Sequence, residues 1–139
     1  PEPSGIEQER AIRLALEHGG LEPSEVGHVN AHATSTPVGD IVEAQVLARV
    51  LPTAAVSATK SATAHLLGGA GGLEAVLTVM ALAEAWLPPT LLPGGIDAEV
   101  AATGIDVVGA DGRAVPGLRA AVSTSFGFGG HDVALAFTV

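Results

Sequence analysis

The stretch SATKSATAHLLGGAGGLE, residues 57–74, constrains this chain more than any other. A short apolar strand leads into it, Lys60 and His65 follow with four small residues between them, and a glycine-rich turn opens a helix expected over residues 73–86. That helix is apolar nearly all round, so it is expected to be buried rather than surface-lying. A buried helix beside strands of near-continuous apolar character calls for an α/β fold, with a mixed sheet covered by helices on both faces. Lys60, His65 and Glu74 bring an ammonium, an imidazole and a carboxylate to the mouth of the helix. The pKa values of such groups depend on one another and on burial, which is what acid–base or charge-stabilising chemistry needs. Singly, each has a plainer reading: Lys60 as a solvated loop residue, His65 as a helix-start residue, Glu74 as a surface charge.

The rest of the chain alternates helix and strand. Apolar positions Ile6, Ala11, Ile12, Leu14, Ala15 and Leu16, preceded by Pro3-Ser4-Gly5 and closed by Gly19-Gly20, predict an amphipathic helix over 6–18. Residues 26–31 read as a strand and 32–37 as a loop. A helix is expected from Asp40 to Val50, and a strand over 54–58. Pro88-Pro89 ends the apolar helix, and the glycine- and proline-punctuated residues 90–118 are expected to be mostly loop with short extended pieces. Two last strands, 118–123 and 133–139, are joined by a turn over 125–132.

At 139 residues the chain is expected to form one domain, 1–139, and its 3% aromatic content leaves the core to Ala, Val, Leu and Ile. Fifteen acidic residues against six basic ones, with no Lys/Arg cluster, argue against a nucleic-acid or anionic-membrane surface. The absence of cysteine excludes disulfides, thiolate metal sites and a cysteine nucleophile on this chain. The apolar run 75–87 is too short for a membrane span, and the acidic N-terminus has no signal-peptide character, so a cytoplasmic location is the default.

Three loops that follow strands hold the chemistry-capable groups: His32 with Thr34 and Thr36, Lys60 with His65, and SFGFGGHD over 125–132. Sites in parallel α/β sheets collect at the carboxyl ends of strands, so the three loops are expected to converge. Each also has a plain reading, since a lone loop histidine is more often structural and a glycine-rich turn can be backbone geometry alone.

The segments HVNAHATSTPVGD (28–40), TKSATAHLLGGAGGLEA (59–75) and SFGFGGHDVALAF (125–137) together resemble the C-terminal half of the elongating β-ketoacyl-[acyl carrier protein] synthases of the thiolase superfamily. The resemblance runs from about residue 6 to the end. It implies a thiolase-like half-fold and a decarboxylative Claisen condensation, in which the enolate from a malonyl thioester attacks an acyl group held on a cysteine. By motif position, His32 and His65 are implied as the catalytic histidines that donate to the thioester oxygen. Lys60 and Glu74 are implied as the supporting charge pair, Thr34 and Thr36 as pantetheine contacts, and Phe128 as the gate, its loop freed by Gly127 and Gly129. No resident cofactor is expected, because phosphopantetheine arrives on the acyl carrier protein. The implied partners are that carrier, a cysteine-bearing N-terminal synthase half and a second copy in a homodimer, with no nucleic acid and no membrane span. A cysteine-free half that only pairs with a complete synthase is the alternative. A hydrolase using Ser61 or Ser123 is weaker, because no G-x-S-x-G elbow is present.

The departures are specific. Ala33 and Ala64 stand where the family often has glycine, and Thr124 and Asp132 where it often has asparagine. Alanine at a position needing positive φ is expected to be strained. The family often carries a monovalent cation near the positions of Asn30, Glu74 and Ser123, and Thr124 argues against it here. The sequence is also expected to lack the central strand of its sheet, just before the first helix, leaving neighbouring strands unpaired and the isolated chain unstable or associated. Because carrier proteins are generally acidic, any docking patch on this chain is expected around Arg10, Arg13, Arg49, Arg113 and Arg119.

Overall fold

The structure, a computed structural model, describes residues 4–139. Pro3, read above as part of the turn before the first helix, lies outside the described residues. Helix α1 spans Ile6–Gly19 and stops where Gly20 turns left-handed (φ 63°), its N–H returning to Glu17 and Leu16. That stop is the one the glycine pair predicts. Strand β1 (Val26–Asn30) follows, then α2 (Pro37–Val50) and β2 (Ala55–Ser57). α2 starts three residues before the expected Asp40, because proline at the first helical position has no N–H to leave unpaired. One turn of helix, α3 (Lys60–Thr63), leads to α4 (Ala70–Glu84). The start of α4 also precedes expectation. A Cβ at Gly71 would stand 3.1 Å from Ser125 Oγ, so this one of the glycines read as a turn serves as a close helix-to-sheet contact.

The short elements β3 (Trp86–Leu87), α5 (Ala98–Ala102), β4 (Asp106–Val107) and β5 (Arg113–Ala114) occupy the segment read as mostly loop. β4 is more than an extended piece, since it pairs parallel with β2 and closes one edge of the main sheet. The last two strands, β6 (Ala120–Gly127) and β7 (His131–Thr138), run further into the expected turn than the sequence suggests. Only residues 128–130 remain between them.

The main sheet has the order β4-β2-β1-β6-β7, parallel except for β7. This corrects the expectation of a missing first strand. β1 itself occupies the centre and is paired on both sides, to β2 through Val29↔Val56 and to β6 through Val29↔Val122. The instability argued from a gap in the sheet therefore has no basis.

α1 and α2 cover one face, where Ile12, Leu16, Val46 and Leu47 pack with Val29, Val56 and Val122. α4 covers the other, where Leu82 packs with Ala55, Ala121 and Leu87. The helix expected to be buried is covered on one side only: Glu74, Thr78, Ala81 and Leu82 face inward, while Val76, Val79 and Met80 are about half exposed. The window Leu67–Glu84 reaches the length and apolarity of a membrane-crossing helix. Its inner side packs on β6 and carries a paired carboxylate, the environment of a core helix.

His28, in the middle of β1, is fully buried and donates from Nε2 to Ser57 Oγ (3.0 Å), which in turn donates to the Pro88 carbonyl (2.7 Å). Burial lowers its pKa to about 4. The unfolded chain takes up a proton near pH 6.5, and the folded chain resists until about pH 4, so stability is lost as pH falls through that window. The expected loss assigned to His28 between pH 7 and pH 5 is about 2 kcal/mol. Urea unfolding should show His28→Leu losing less stability than the parent over that interval by about this amount. Parallel losses in the two proteins would refute the assignment.

Candidate functional site

The carboxyl ends of β1 and β2 bring His32 and Lys60 together, and the first turns of α4 supply Glu74. Lys60 and Glu74 form a buried ion pair through Lys60 Nζ and Glu74 Oε1. The same Nζ lies 3.3 Å from His32 Nδ1. An ammonium can only donate, so Nδ1 of His32 accepts and the ring proton sits on Nε2. His65 reaches the same arrangement by another route. The Leu67 N–H donates to its Nδ1 at 3.2 Å, which again leaves the proton on Nε2. The two rings meet edge to face with centroids 5.7 Å apart. Each imidazole thus carries a donor at Nε2, and the two rings are in contact.

Burial, then the Lys60 charge, then His65 lower the His32 pKa to about 4, so its ring is neutral at pH 7. Burial raises the Glu74 pKa, and the Lys60 ammonium offsets part of that rise. Glu74 Oε2 is buried with no hydrogen-bond partner among the described residues.

The backbone under His32 is held by a residue that sequence reading passed over. Glu43, buried on α2, accepts from the N–H groups of His32 (2.9 Å) and Ala33 (2.8 Å) and from the Thr124 hydroxyl (2.7 Å). Thr124 Oγ1 itself accepts from His32 N–H at 3.0 Å. Burial raises the Glu43 pKa against these three bonds. The available signal was a carboxylate within the apolar pattern of α2. On the other side, Asn30 accepts from the Thr59 hydroxyl (2.9 Å) and donates to the Glu74 carbonyl (3.3 Å), tying β1 to the loop before α3 and to α4.

The glycine-turn prediction divides. Phe128 stands at the tip of the β6–β7 turn, 90% exposed, between Gly127 and the left-handed Gly129 (φ 80°). Phe126, which the sequence reading did not single out, is the phenylalanine packed on His32, with centroids 6.1 Å apart. Thr34 and Thr36 share one loop with their hydroxyls 3.4 Å apart. Ser61 is committed to the Ala58 carbonyl and the Leu91 N–H, and Ser123 is buried in β6.

The strain expected at two alanines is present. Ala33 has φ 33°, and Ala64 has φ 59° with ψ 179°, a region occupied almost only by glycine. Ala64 sits directly before His65, so its distortion sets where that ring points. Ala64→Gly is expected to raise stability by about 1 kcal/mol, the relieved strain less the entropy cost of glycine. A thermal melt of the variant checks this, and an unchanged or lower midpoint would contradict it.

Among the described residues no group of three His, Asp or Glu side chains could hold a metal ion. At the position of the implied monovalent cation, Asn30 Oδ1 is used by Thr59, and the Glu74 carbonyl by Asn30 and Thr78. Of the five arginines expected to form a docking patch, Arg10 pairs with Glu7, Arg13 and Arg49 both pair with Glu9, and Arg113 pairs with Asp106, while Arg119 is in no ion pair among the described residues.

A five-stranded sheet, parallel but for β7 and covered by helices on both faces, is the architecture of an α/β thiolase-like half. Residues 1–92 match the family described as Beta-ketoacyl synthase, C-terminal domain, and the chain belongs to that family. It is 48% identical over 141 residues to 3-oxoacyl-[acyl-carrier-protein] synthase 2 of Synechocystis, covering 99% of this chain and 33% of that protein. It is 46% identical to the protein of the same name from Mycobacterium leprae, over 99% of this chain and 32% of that one. Among solved structures, a β-ketoacyl synthase from Burkholderia phymatum superposes with a TM-score of 0.90 at 34% identity, over 99% of this chain and 33% of that one. A ketosynthase from Xenorhabdus doucetiae, solved in complex with its chain length factor, gives 0.89 at 32% identity, over 100% and 35%. The chain spans about a third of the length of the curated relatives it matches.

Proposed function

We propose that this chain supplies the two-histidine oxyanion site of an elongating β-ketoacyl-[acyl carrier protein] synthase. The observation that carries the reading is the pair of Nε2–H donors, each fixed because Lys60 or the Leu67 N–H occupies Nδ1. In a malonyl thioester, the bond to the terminal carboxylate breaks and CO2 leaves. The electron pair moves onto the thioester oxygen as an enolate. His32 and His65 donate to that oxygen as its charge develops, and preorganised donors of this kind are worth about 3 kcal/mol each. The enolate carbon then forms a bond to the carbonyl carbon of an acyl thioester, and the cysteine thiolate departs.

This chain has no cysteine, so the thiolate belongs to the N-terminal half of the synthase. Lys60 keeps His32 in the donating tautomer, and Glu74 balances the ammonium charge. Thr34 and Thr36 hold the pantetheine arm of the carrier-bound substrate, and Phe128 gates the acyl-cysteine between Gly127 and Gly129. With four of its five arginines already paired, the chain leaves the acidic carrier protein to dock chiefly on the other half of the enzyme, which works as a homodimer.

The test is a chimera in which these 139 residues replace the matching third of the Synechocystis synthase. It is expected to decarboxylate malonyl-carrier thioester and to condense, whereas the 139-residue chain alone does not condense. A folded chimera with neither activity would overturn the reading.

A further inference from the structure

The sheet face that carries α2 holds a cavity of about 200 Å³ that the chemistry above does not use. Its apolar wall is built by Leu47, Val56, Val100, Ile105 and Val107, and its depth comes from alanines at positions 31, 33, 44 and 58. An apolar cavity of about 150 Å³ takes a benzene-sized molecule, so this one has room for about six to eight heavy atoms. Asp40 and Asp97 also line it. Each carboxylate has one oxygen engaged locally, Asp40 Oδ1 by Ser35 N–H (3.1 Å) and Asp97 Oδ1 by Glu99 N–H (2.8 Å). Neither is in an ion pair among the described residues. Burial chiefly, and the Asp97 charge to a lesser degree, push the Asp40 pKa up, while the Thr36 and Ser35 backbone groups and the Lys60 charge pull it down.

From this shape and charge we infer that the cavity is a binding site for a small aliphatic ammonium, its tail against the Val56–Val107 wall and its head between Asp40 and Asp97. An alcohol of the same length fits the walls but leaves the carboxylates unneutralised, and a carboxylate is repelled. The floor of the cavity includes Ala33 and Glu43, whose contacts fix the His32 backbone. An occupant therefore touches the support of the histidine without touching its ring, and the cavity is placed to regulate the site.

The test titrates the ¹⁵N-labelled chain with n-hexylammonium chloride, 1-hexanol and sodium hexanoate. Hexylammonium is expected to bind about tenfold more tightly than hexanol, the ratio that about 1.4 kcal/mol represents. Hexanoate is expected not to bind. The backbone amides of His32, Ala33 and Ser35 should shift, while the indole N–H of Trp86, remote from the cavity, should not. Asp97→Asn, at an exposed position, should lower the ammonium preference severalfold, and Val100→Phe should fill the cavity and abolish binding. Equal binding of amine and alcohol, shifts centred on Trp86, or unchanged ammonium binding by Asp97→Asn or by a folded Val100→Phe would each overturn the inference. None of these readouts depends on condensing activity, so the site stands or falls apart from the proposed function.

Discussion

In the chimera, His32→Ala and His65→Ala are each expected to cut malonyl-thioester decarboxylation by about 10²-fold or more, the usual cost of one oxyanion donor. Both Nε2–H groups act on the same developing charge, so the double variant is expected to lose less than the product of the two single losses. The pH profile adds an independent check. With its pKa near 4, His32 stays neutral between pH 5 and pH 8, and its protonation should produce no fall in rate in that range. Carrier-protein decarboxylation assays of the single variants are decisive. If both retain near-parental rates, these loops are not the reacting centre, and a role as a non-catalytic partner of a complete synthase moves ahead.

The second large effect concerns folding. Lys60→Met leaves the Glu74 carboxylate buried without its cation and is expected to cost about 3–5 kcal/mol in urea unfolding, as removal of one partner of a buried pair does. Lys60→Met with Glu74→Gln removes both charges and should recover more than half of that loss. The pH dependence has a definite sign. Burial already raises the Glu74 pKa, and loss of the ammonium raises it further. The folded variant then holds a proton that the unfolded chain releases, so its deficit should shrink as pH falls from 8 toward 5. A deficit independent of pH, or a double variant no more stable than the single, would show that charge is not what the pair contributes.

The local grammar of the chain was legible because it depends on neighbours in sequence. Gly20 closes α1, short apolar runs mark β1 and the last two strands, and two of the three loops after strands hold His32, Lys60 and His65. The strain at Ala33 and Ala64 was foreseeable through the resemblance alone, which sets alanine where the family often has glycine. The central place of β1 was not legible. Strand order is set by which partners complete the hydrogen-bond ladder on each side, and two-residue β4 carries too little pattern of its own to announce its pairing with β2. The half-exposed apolar face of α4 likewise escaped periodicity, because an all-apolar helix does not record which of its sides the sheet covers.

By itself the sequence determined the chemical groups: two histidines and a lysine in loops after strands and a glutamate on the following helix, with no cysteine and no basic cluster. Tertiary structure alone decided what those groups can do. Which nitrogen of each imidazole carries the proton depends on Lys60 Nζ and the Leu67 N–H, and the support of His32 depends on Glu43 and Thr124, 11 and 92 residues away along the chain. Tautomer, burial and hydrogen-bond partner are properties of surroundings, and for these residues the surroundings come from β1, β6, α2 and α4 packed together.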